Sequence, residues 1–173
     1  MAIPTEPIGS IPRSQELVAG MQAFGTGQIG QQEMDALFRM ALADTIQRFE
    51  ATGSPVITDG EQTKPSFATY PIHGLANLAP DGVTIPFVDG HTRQLPRLTT
   101  RPFQYATYAA SYLEAAKQLA RVPVKQAVIS ASALSLLYPG DGIDGYPREE
   151  FIADLLRENE ADIRRCLDQR AYN

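Results

Sequence analysis

The stretch MDALFRMALADTIQRFEATGSPVITDGE, residues 34–61, decides the fold class, because a helix and a buried strand follow each other in it. Its apolar residues recur at steps of three and four, which predicts a helix with one buried face. Gly53 favours the helix end, where a left-handed residue is least costly. Pro55 to Thr58 then predicts a short strand that runs into Asp59-Gly60-Glu61.

The same alternation continues on both sides of this stretch. Before it, the sequence predicts a strand at Ile3–Ile8 and a helix from Ser14 to about Phe24. After it come a helix with Tyr105, Tyr108 and Tyr112 on one side and a strand at Val124–Ser130. A short turn of helix capped by Ser132 and a long helix from about Pro147, which carries Cys166 inward, complete the predicted elements. Strands alternating with helices indicate a parallel sheet with right-handed crossovers.

The predicted fold is therefore α/β, a partial TIM (β/α)₈ barrel with about three βα units in a single domain, residues 1–173. A closed barrel needs eight units over roughly 250 residues. A Pro-rich excursion, residues 62–101, follows strand two. Within it Val83–Val88 and Thr92–Leu98 flank Asp89-Gly90-His91, which predicts a hairpin. Because Pro86 and Pro96 lack amide hydrogens, its strands are expected at the edge of a sheet.

Composition excludes several classes of protein. The net charge is -5 and no run of Lys or Arg stands out, which disfavours nucleic-acid binding. No apolar stretch approaches the ~20 residues that span a bilayer. The first ten residues have neither a basic leader nor an apolar h-region, so we expect no secretion. Cys166 is the single cysteine, so an internal disulfide is impossible. We expect a cytoplasmic protein without nucleic-acid or membrane partners.

The candidate functional residues follow the predicted strands, since α/β folds place catalytic and binding residues at the carboxyl ends of strands. Backbone amides at Gly9-Ser10 could hold a carboxylate, or form only a strand-to-helix turn. Asp59 and Glu61, one residue apart, could hold an ammonium group or act as acid and base; the alternative is a solvated turn. Ser132 is better explained as a helix cap than as a nucleophile.

Other candidates have a structural explanation that is favoured over a functional one. His73 and His91 would reach a substrate if the excursion folds over the site as a lid, but exposed loop histidines are commoner. Lys125 is expected to extend toward the bottom of the barrel, and Cys166 to be a buried structural thiol. Self-contained zinc, redox and nucleotide motifs do not occur.

Four segments, in this order and spacing, carry a resemblance to a known family. They are Thr5–Arg13 with its Ile-Gly-Ser turn, Ile57–Glu61, Ile85–Pro96 and Pro123–Ser130. The chain resembles the N-terminal half of the catalytic barrel of the cobalamin-independent methionine synthase family, and the third segment resembles a compact single-barrel subgroup.

That family transfers a methyl group from 5-methyltetrahydrofolate to the thiol of homocysteine, and a zinc ion holds the thiol as a nucleophilic thiolate. The resemblance implies that Ile8, Gly9 and Ser10 hold the amino acid through main-chain contacts and that Glu61 binds its ammonium group. Apart from the resemblance, the position of His91 and Arg93 in the excursion predicts them as lid contacts.

The family's zinc ligands, a His-x-Cys pair, a Glu and a further Cys, lie in the half that this chain does not match, and Cys166 is not at a ligand position. We therefore expect no catalytic or metal-binding residue here, and zinc only in the intact family.

Three hypotheses stay open. In the first, the chain is a truncated homologue that keeps part of the amino-acid pocket without catalysis. In the second, the family chemistry acts on another thiol. In the third, a non-catalytic module completes a barrel with a partner chain or a second copy through its open sheet edge.

Overall fold

Helices account for most of the regular structure in residues 5–172, the part of the chain that the computed structural model describes. The chain divides into two units, each assembled from separate segments. The first contains the described residues up to Phe67, Ala109–Ala127 and those from Arg165 onward; the second contains Ala68–Tyr108 and Val128–Arg164.

The first two helices confirm the predicted ones. Helix α1, Gln15–Gly25, begins after Ser14, whose side chain accepts a hydrogen bond from the amide of Leu17 at 3.1 Å. Such a cap satisfies one of the free amides of the first turn. Helix α2, Gln31–Ala51, buries Met34, Leu42, Thr45 and Ile46 on one face. Gly53 follows it with φ +74°.

Helix α3 corrects one prediction, because it spans Ala110–Lys117 and does not include Tyr105 or Tyr108. The backbone amide of Tyr105 instead donates to the carboxylate of Glu158 at 3.0 Å. The helical spacing of these tyrosines is therefore coincidental. A long-range hydrogen bond satisfies an amide that a helix would otherwise have paired.

The later helices agree with the predicted positions except at one cap. Helix α4, Ala131–Leu134, is capped by Ser130, whose hydroxyl accepts from the amide of Ala133 at 3.4 Å, so the prediction of Ser132 as the cap is wrong by two residues. A 3₁₀ turn, Ser135–Leu137, follows. Helix α5, Arg148–Asp168, begins directly after Pro147 as predicted. Within residues 5–172 no helix has both the length and the apolar character needed to cross a membrane.

The strands of the second unit form two antiparallel pairs. Strand β1, Leu78–Ala79, pairs with β4, Arg97–Leu98, and β2, Thr84–Pro86, pairs with β3, Thr92–Gln94. The second pair is the hairpin predicted around Asp89-Gly90, with Ile85 opposite Arg93. Gly90 has φ +89°, which the tight connection requires and glycine adopts at little cost.

The predicted parallel strands are reduced to local contacts in the first unit. Ile57 and Val124 form one isolated parallel bridge. The amide of Ile57 donates to Pro123 at 3.0 Å, that of Lys125 donates to Ile57 at 2.9 Å, and that of Tyr172 donates to Val124 at 2.8 Å. Three segments thus lie side by side at one point.

Continuous strands at Pro55–Thr58 and Val124–Ser130 are not formed, and Thr5–Ile8 is irregular. Ile3 lies outside the described residues. A parallel sheet needs cover on both faces, whereas Lys125–Ile129 are only half-buried. Proline at positions 7, 55 and 123 also removes amides that a ladder would use.

The core of the second unit is aromatic. Phe103 and Phe151 meet edge to face with centroids 5.2 Å apart, and the hydroxyl of Tyr146 accepts from the amide of Phe103 at 3.1 Å. The buried members of this cluster are Ile72, Leu95, Leu98, Phe103, Tyr105, Leu134, Leu137, Tyr146, Phe151 and Leu155.

Candidate functional site

The turn Asp59-Gly60-Glu61 has a backbone that few sequences could adopt. Gly60 has φ +61° and Glu61 has φ +55°. A Cβ at Gly60 would lie 2.8 Å from Thr45 Cγ2 and 2.9 Å from Ile11 Cγ1, so both the conformation and the packing require glycine. The amide of Glu61 donates to Asp59 Oδ1 at 2.9 Å, which stabilises its left-handed conformation.

Three of the four predicted substrate-binding residues, Gly9, Ser10 and Glu61, come together at this turn. The hydroxyl of Ser10 donates to Oε2 of Glu61. A Cβ at Gly9 would lie 3.6 Å from Glu61 Cδ and 3.7 Å from Ala127 Cβ. The segments that end at Ser10, at Glu61 and near Ala127 therefore meet. Glu61 is 6% exposed, whereas the side chain of Ile8 is 88% exposed.

Lys64 is the member of this group that sequence reasoning missed. It is fully buried, and its Nζ lies 3.1 Å from Glu61 Oε1, 2.7 Å from the carbonyl oxygen of Ala127 and 5.7 Å from the ring centroid of Tyr112. The one available signal was its position three residues after Glu61, a spacing at which opposite charges meet on a turn. We call Gly9, Ser10, Glu61 and Lys64 the Glu61 site.

Arg13 fixes the backbone on which the Glu61 site is built. Its guanidinium donates to the carbonyl oxygens of Gln62 at 3.2 Å and Glu61 at 3.1 Å, and to that of Lys64. Burial lowers the pKa of Arg13, while the negative charge of Glu61 acts in the opposite direction. Gln62 adds a second tie, since its side-chain amide donates to Ile11 at 3.2 Å and Gly60 at 3.1 Å.

Asp59 has a different environment from Glu61. Its side chain is 1% exposed, and its Oδ2 accepts from the side-chain amide of Gln126 at 3.3 Å. Its Oδ1 accepts from the amide of Glu61, so one oxygen serves the turn and the other is bonded to a distant segment. Asp59 and Glu61 therefore have different hydrogen-bond partners, and a ligand-binding role of Asp59 stays a prediction.

The predicted lid residues lie on the hairpin of the second unit. The ring of His91 stacks on Phe87 with centroids 4.2 Å apart, and its Nδ1 lies 2.5 Å from Asp89 Oδ1. Its side chain is 60% exposed. Arg93 stands in β3 opposite Ile85. His73 is exposed too, and the lid contacts stay predictions.

The remaining chemical candidates have structural roles. Cys166 is buried on α5, as predicted. Lys125 pairs with Glu6 at 3.0 Å, and the exposed Ser132 contacts the hydroxyl of Ser130 at 3.0 Å. No group of three or more His, Cys, Asp or Glu side chains among residues 5–172 could hold a metal ion. The donor set of this part of the chain therefore does not fit the zinc site of the family that the sequence resembles.

A cavity of about 410 Å³ also opens in the first unit, but it is separate from the Glu61 site. Arg13, Leu17, Leu37, Met40 and Gln62 are among the residues that line it, whereas Ser10 and Glu61 are not. Arg13 and Gln62 separate the two, because they line the cavity while they bond the backbone of the turn.

Comparisons with known proteins match part of the sequence to one enzyme. No family model matches the chain. It is 34% identical over 68 residues to the 5-methyltetrahydropteroyltriglutamate–homocysteine methyltransferase of Saccharophagus degradans. The matched residues make up 39% of this chain and 9% of that protein. The probable enzyme of the same name from Schizosaccharomyces pombe is 33% identical over 67 residues, and that of Vibrio cholerae is 31% identical over 74 residues. The match thus spans about a tenth of the length of these curated relatives.

The fold extends the likeness to nearly the whole chain. A B12-independent methionine synthase from Shewanella sp. W3-18-1, solved in complex with selenomethionine, superposes with a TM-score of 0.72 at 15% identity. The match covers 97% of this chain and 49% of that one. Local sequence and fold therefore confirm the predicted resemblance of this chain to the cobalamin-independent methionine synthases, over a part of their length.

Proposed function

We propose that this chain provides the amino-acid-binding side of a methionine-synthase-like site, at which a homocysteine-like thiol binds. The observation that carries the proposal is the hydrogen bond from Ser10 to Glu61, which joins the ends of two segments far apart in sequence. Such convergence of polar groups at segment ends is typical of binding sites in α/β folds.

Each polar end of the amino acid has a partner in this proposal. The main chain of Ile8, Gly9 and Ser10 receives the ligand's carboxylate, since glycine lets a ligand approach the backbone closely. Glu61 receives the ammonium group through a charge-assisted hydrogen bond. The exposure of Ser10 beside a nearly buried Glu61 supports access to the carboxylate from that side.

For the reaction itself, we propose a binding role only. The resemblance implies 5-methyltetrahydrofolate as methyl donor and zinc as the ion that holds the thiolate in the intact family. Residues 5–172 offer no set of side chains for that ion. We therefore assign no catalytic residue and derive no step through zinc. Tight stoichiometric zinc binding with methyl transfer by the 173-residue chain would contradict this part of the proposal.

We further propose that the first unit is part of a barrel. The amide of Tyr172 bonds to Val124 while Val124 bridges to Ile57, which is the neighbour order expected of consecutive parallel strands. The meeting of Gly9, Glu61 and Ala127 supports the same order at the carboxyl ends of the segments. His91 and Arg93 remain our proposed lid contacts, and alanine at both positions should weaken binding of the thiol.

The test is calorimetric titration of the chain with homocysteine. Glu61→Gln removes the negative charge and keeps the shape, so affinity should fall by tenfold or more, as expected for a lost charge-assisted hydrogen bond. Glu160→Gln is the matched control, because Glu160 is exposed and pairs with Arg164. Equal affinity of the Glu61→Gln variant and the unmodified chain would refute the proposal.

A second candidate, a module that pairs with another chain, is favoured by one observation. Leu156 and Ile163 stand two turns apart on α5, and their side chains are 54% and 44% exposed. Sedimentation of the chain distinguishes the candidates, because a monodisperse monomer at all concentrations counts against the module.

A further inference from the structure

Lys64 stands where the proposed function places a ligand's ammonium group. Its Nζ is held by Oε1 of Glu61 at 3.1 Å and by the carbonyl oxygen of Ala127 at 2.7 Å, with the face of Tyr112 at 5.7 Å. Two oxygen acceptors and an aromatic face are the surroundings that a primary ammonium group prefers. The second oxygen of Glu61 already accepts from Ser10.

This arrangement disfavours a second cation on the carboxylate of Glu61 while Lys64 is in place. Glu61 and Lys64 form an ion pair that has no net charge, and the side chain of Lys64 is fully buried. A second ammonium group placed on the same carboxylate would repel the first at short range in a partly desolvated site. Binding therefore requires that Lys64 leaves Glu61, since the two charges cannot share it at low cost.

We propose that Lys64 is an internal competitor for the Glu61 site, so that the ammonium group of an amino-acid ligand binds only by displacing it. The inference rests on the proposed function, because it takes Glu61 as the ammonium-binding residue. The tether gives Lys64 an effective concentration in the millimolar range or above, against which a free ligand must compete.

The consequence for specificity concerns the class of thiol. A ligand with an ammonium group must displace Lys64 from Glu61, whereas a thiol carboxylate without an amino group leaves the ion pair in place. Lys64 thus lowers the affinity for α-amino acids selectively. Removal of its charge should favour homocysteine over the same molecule without its amino group, 4-sulfanylbutanoate.

The experiment compares Lys64→Met and Lys64→Gln with the unmodified chain by calorimetric titration with both thiols. We expect each variant to bind homocysteine at least tenfold more tightly and 4-sulfanylbutanoate without change. Unchanged or weaker homocysteine binding, no binding to any of the proteins, or an equal gain for both thiols would overturn the proposal. Glu61→Gln in the Lys64→Met background should remove the gain.

The two proposals fail in different ways. If Glu61→Gln weakens homocysteine binding but Lys64→Met does not strengthen it, the proposed function stands and the competition does not. If Glu61→Gln has no effect in either background, the proposed function itself is refuted. Lys64→Gln retains an amide that can donate to Ala127, which guards against loss of folding when the buried cation is removed.

A readout on the unmodified chain needs no variant. The chain has three lysines, Lys64, Lys117 and Lys125, so a spectrum of ¹⁵N-labelled lysine side chains is simple. The buried Nζ of Lys64 should give a slowly exchanging signal that homocysteine removes and 4-sulfanylbutanoate does not. Persistence of that signal with homocysteine bound would overturn the proposal, and the ion pair of Lys125 with Glu6 provides the reference signal.

Discussion

The hydroxyl of Ser10 donates a hydrogen bond to Oε2 of Glu61, joining two turns that are 51 positions apart in the chain. Because Lys64 occupies Oε1, both oxygens of one carboxylate are held by side chains. The orientation of the Glu61 carboxylate is therefore set by residues of the chain itself.

Ser10→Ala should lower the free energy of unfolding by about 1 kcal/mol, because a carboxylate oxygen loses its donor. Urea denaturation measures the change. Ser132→Ala is the control, because the hydroxyl of Ser132 is exposed and contacts the hydroxyl of Ser130, and its removal should change stability by less than about 0.5 kcal/mol. Equal effects of the two substitutions would contradict a role of Ser10 in holding Glu61.

Arg13→Lys tests whether Arg13 holds the backbone of residues 61–64 in place. The guanidinium serves three carbonyl oxygens in fixed directions, and a lysine ammonium cannot reach them in the same geometry. We expect a loss of about 2 kcal/mol in unfolding free energy. Arg48→Lys at the exposed pair with Asp44, where Arg48 is 77% exposed, should cost almost nothing. A loss at Arg48 as large as that at Arg13 would refute the assignment.

Gly60→Ala separates packing from backbone conformation. Gly60 and Gly53 both have positive φ, so alanine at either position costs about 1–2 kcal/mol for the left-handed backbone. Among the residues that the structure describes, a new Cβ at Gly60 has neighbours at 2.8 and 2.9 Å, whereas one at Gly53 has none within 4 Å. Thermal unfolding should therefore show Gly60→Ala less stable than Gly53→Ala by about 1 kcal/mol or more. Equal stability of the two variants would mean that the side chains of Ile11 and Thr45 move aside at no cost and would contradict the packing argument.

Alkaline pH should destabilise the fold through buried tyrosines. Burial, and then the charge of Asp162, raise the pKa of Tyr70, and burial raises the pKa of Tyr105. Above pH ~10 the unfolded chain releases these protons while the folded chain keeps them, so stability present below pH ~10 falls as pH rises. Each such tyrosine contributes about 1.4 kcal/mol per pH unit there.

Tyr70→Phe should reduce this slope while it weakens the fold at neutral pH, because Asp162 Oδ2 loses the hydroxyl that donates to it at 2.5 Å. Urea denaturation between pH 8 and 11 measures both effects. A slope that is identical in the variant and the unmodified chain would show that Tyr70 ionises equally in both states.

The sequence predicted the elements that are decided locally. Apolar spacing and a capping serine are properties of a single segment, so α1, α2 and α5 and the Asp89-Gly90 hairpin lie where predicted. Tyr105 shows the limit of that reasoning. Its helical spacing with Tyr108 is overridden by Glu158, which accepts from the amide of one and, at 2.7 Å, from the hydroxyl of the other.

The candidate site likewise contains residues that the sequence predicted and one that it did not. Ser10 and Glu61 were found because each follows a predicted strand, and the structure brings them into contact. Lys64 was missed because a lysine is expected at the surface, and its burial depends on Ala127 and Tyr112, which come much later in the chain. No local pattern reports a partner at that distance.

The first unit takes residues from three separate stretches of the chain, with the second unit encoded between them. Its assembly must await synthesis of residues beyond Ala109, since Lys64 cannot find Tyr112 or Ala127 earlier. Contacts between distant positions slow the search for the native state. Excision of residues 5–67 as a continuous fragment would consequently leave the Lys64 ammonium without its carbonyl partner. The Glu61 site is thus a product of the interleaved chain, and none of the three stretches reproduces it alone.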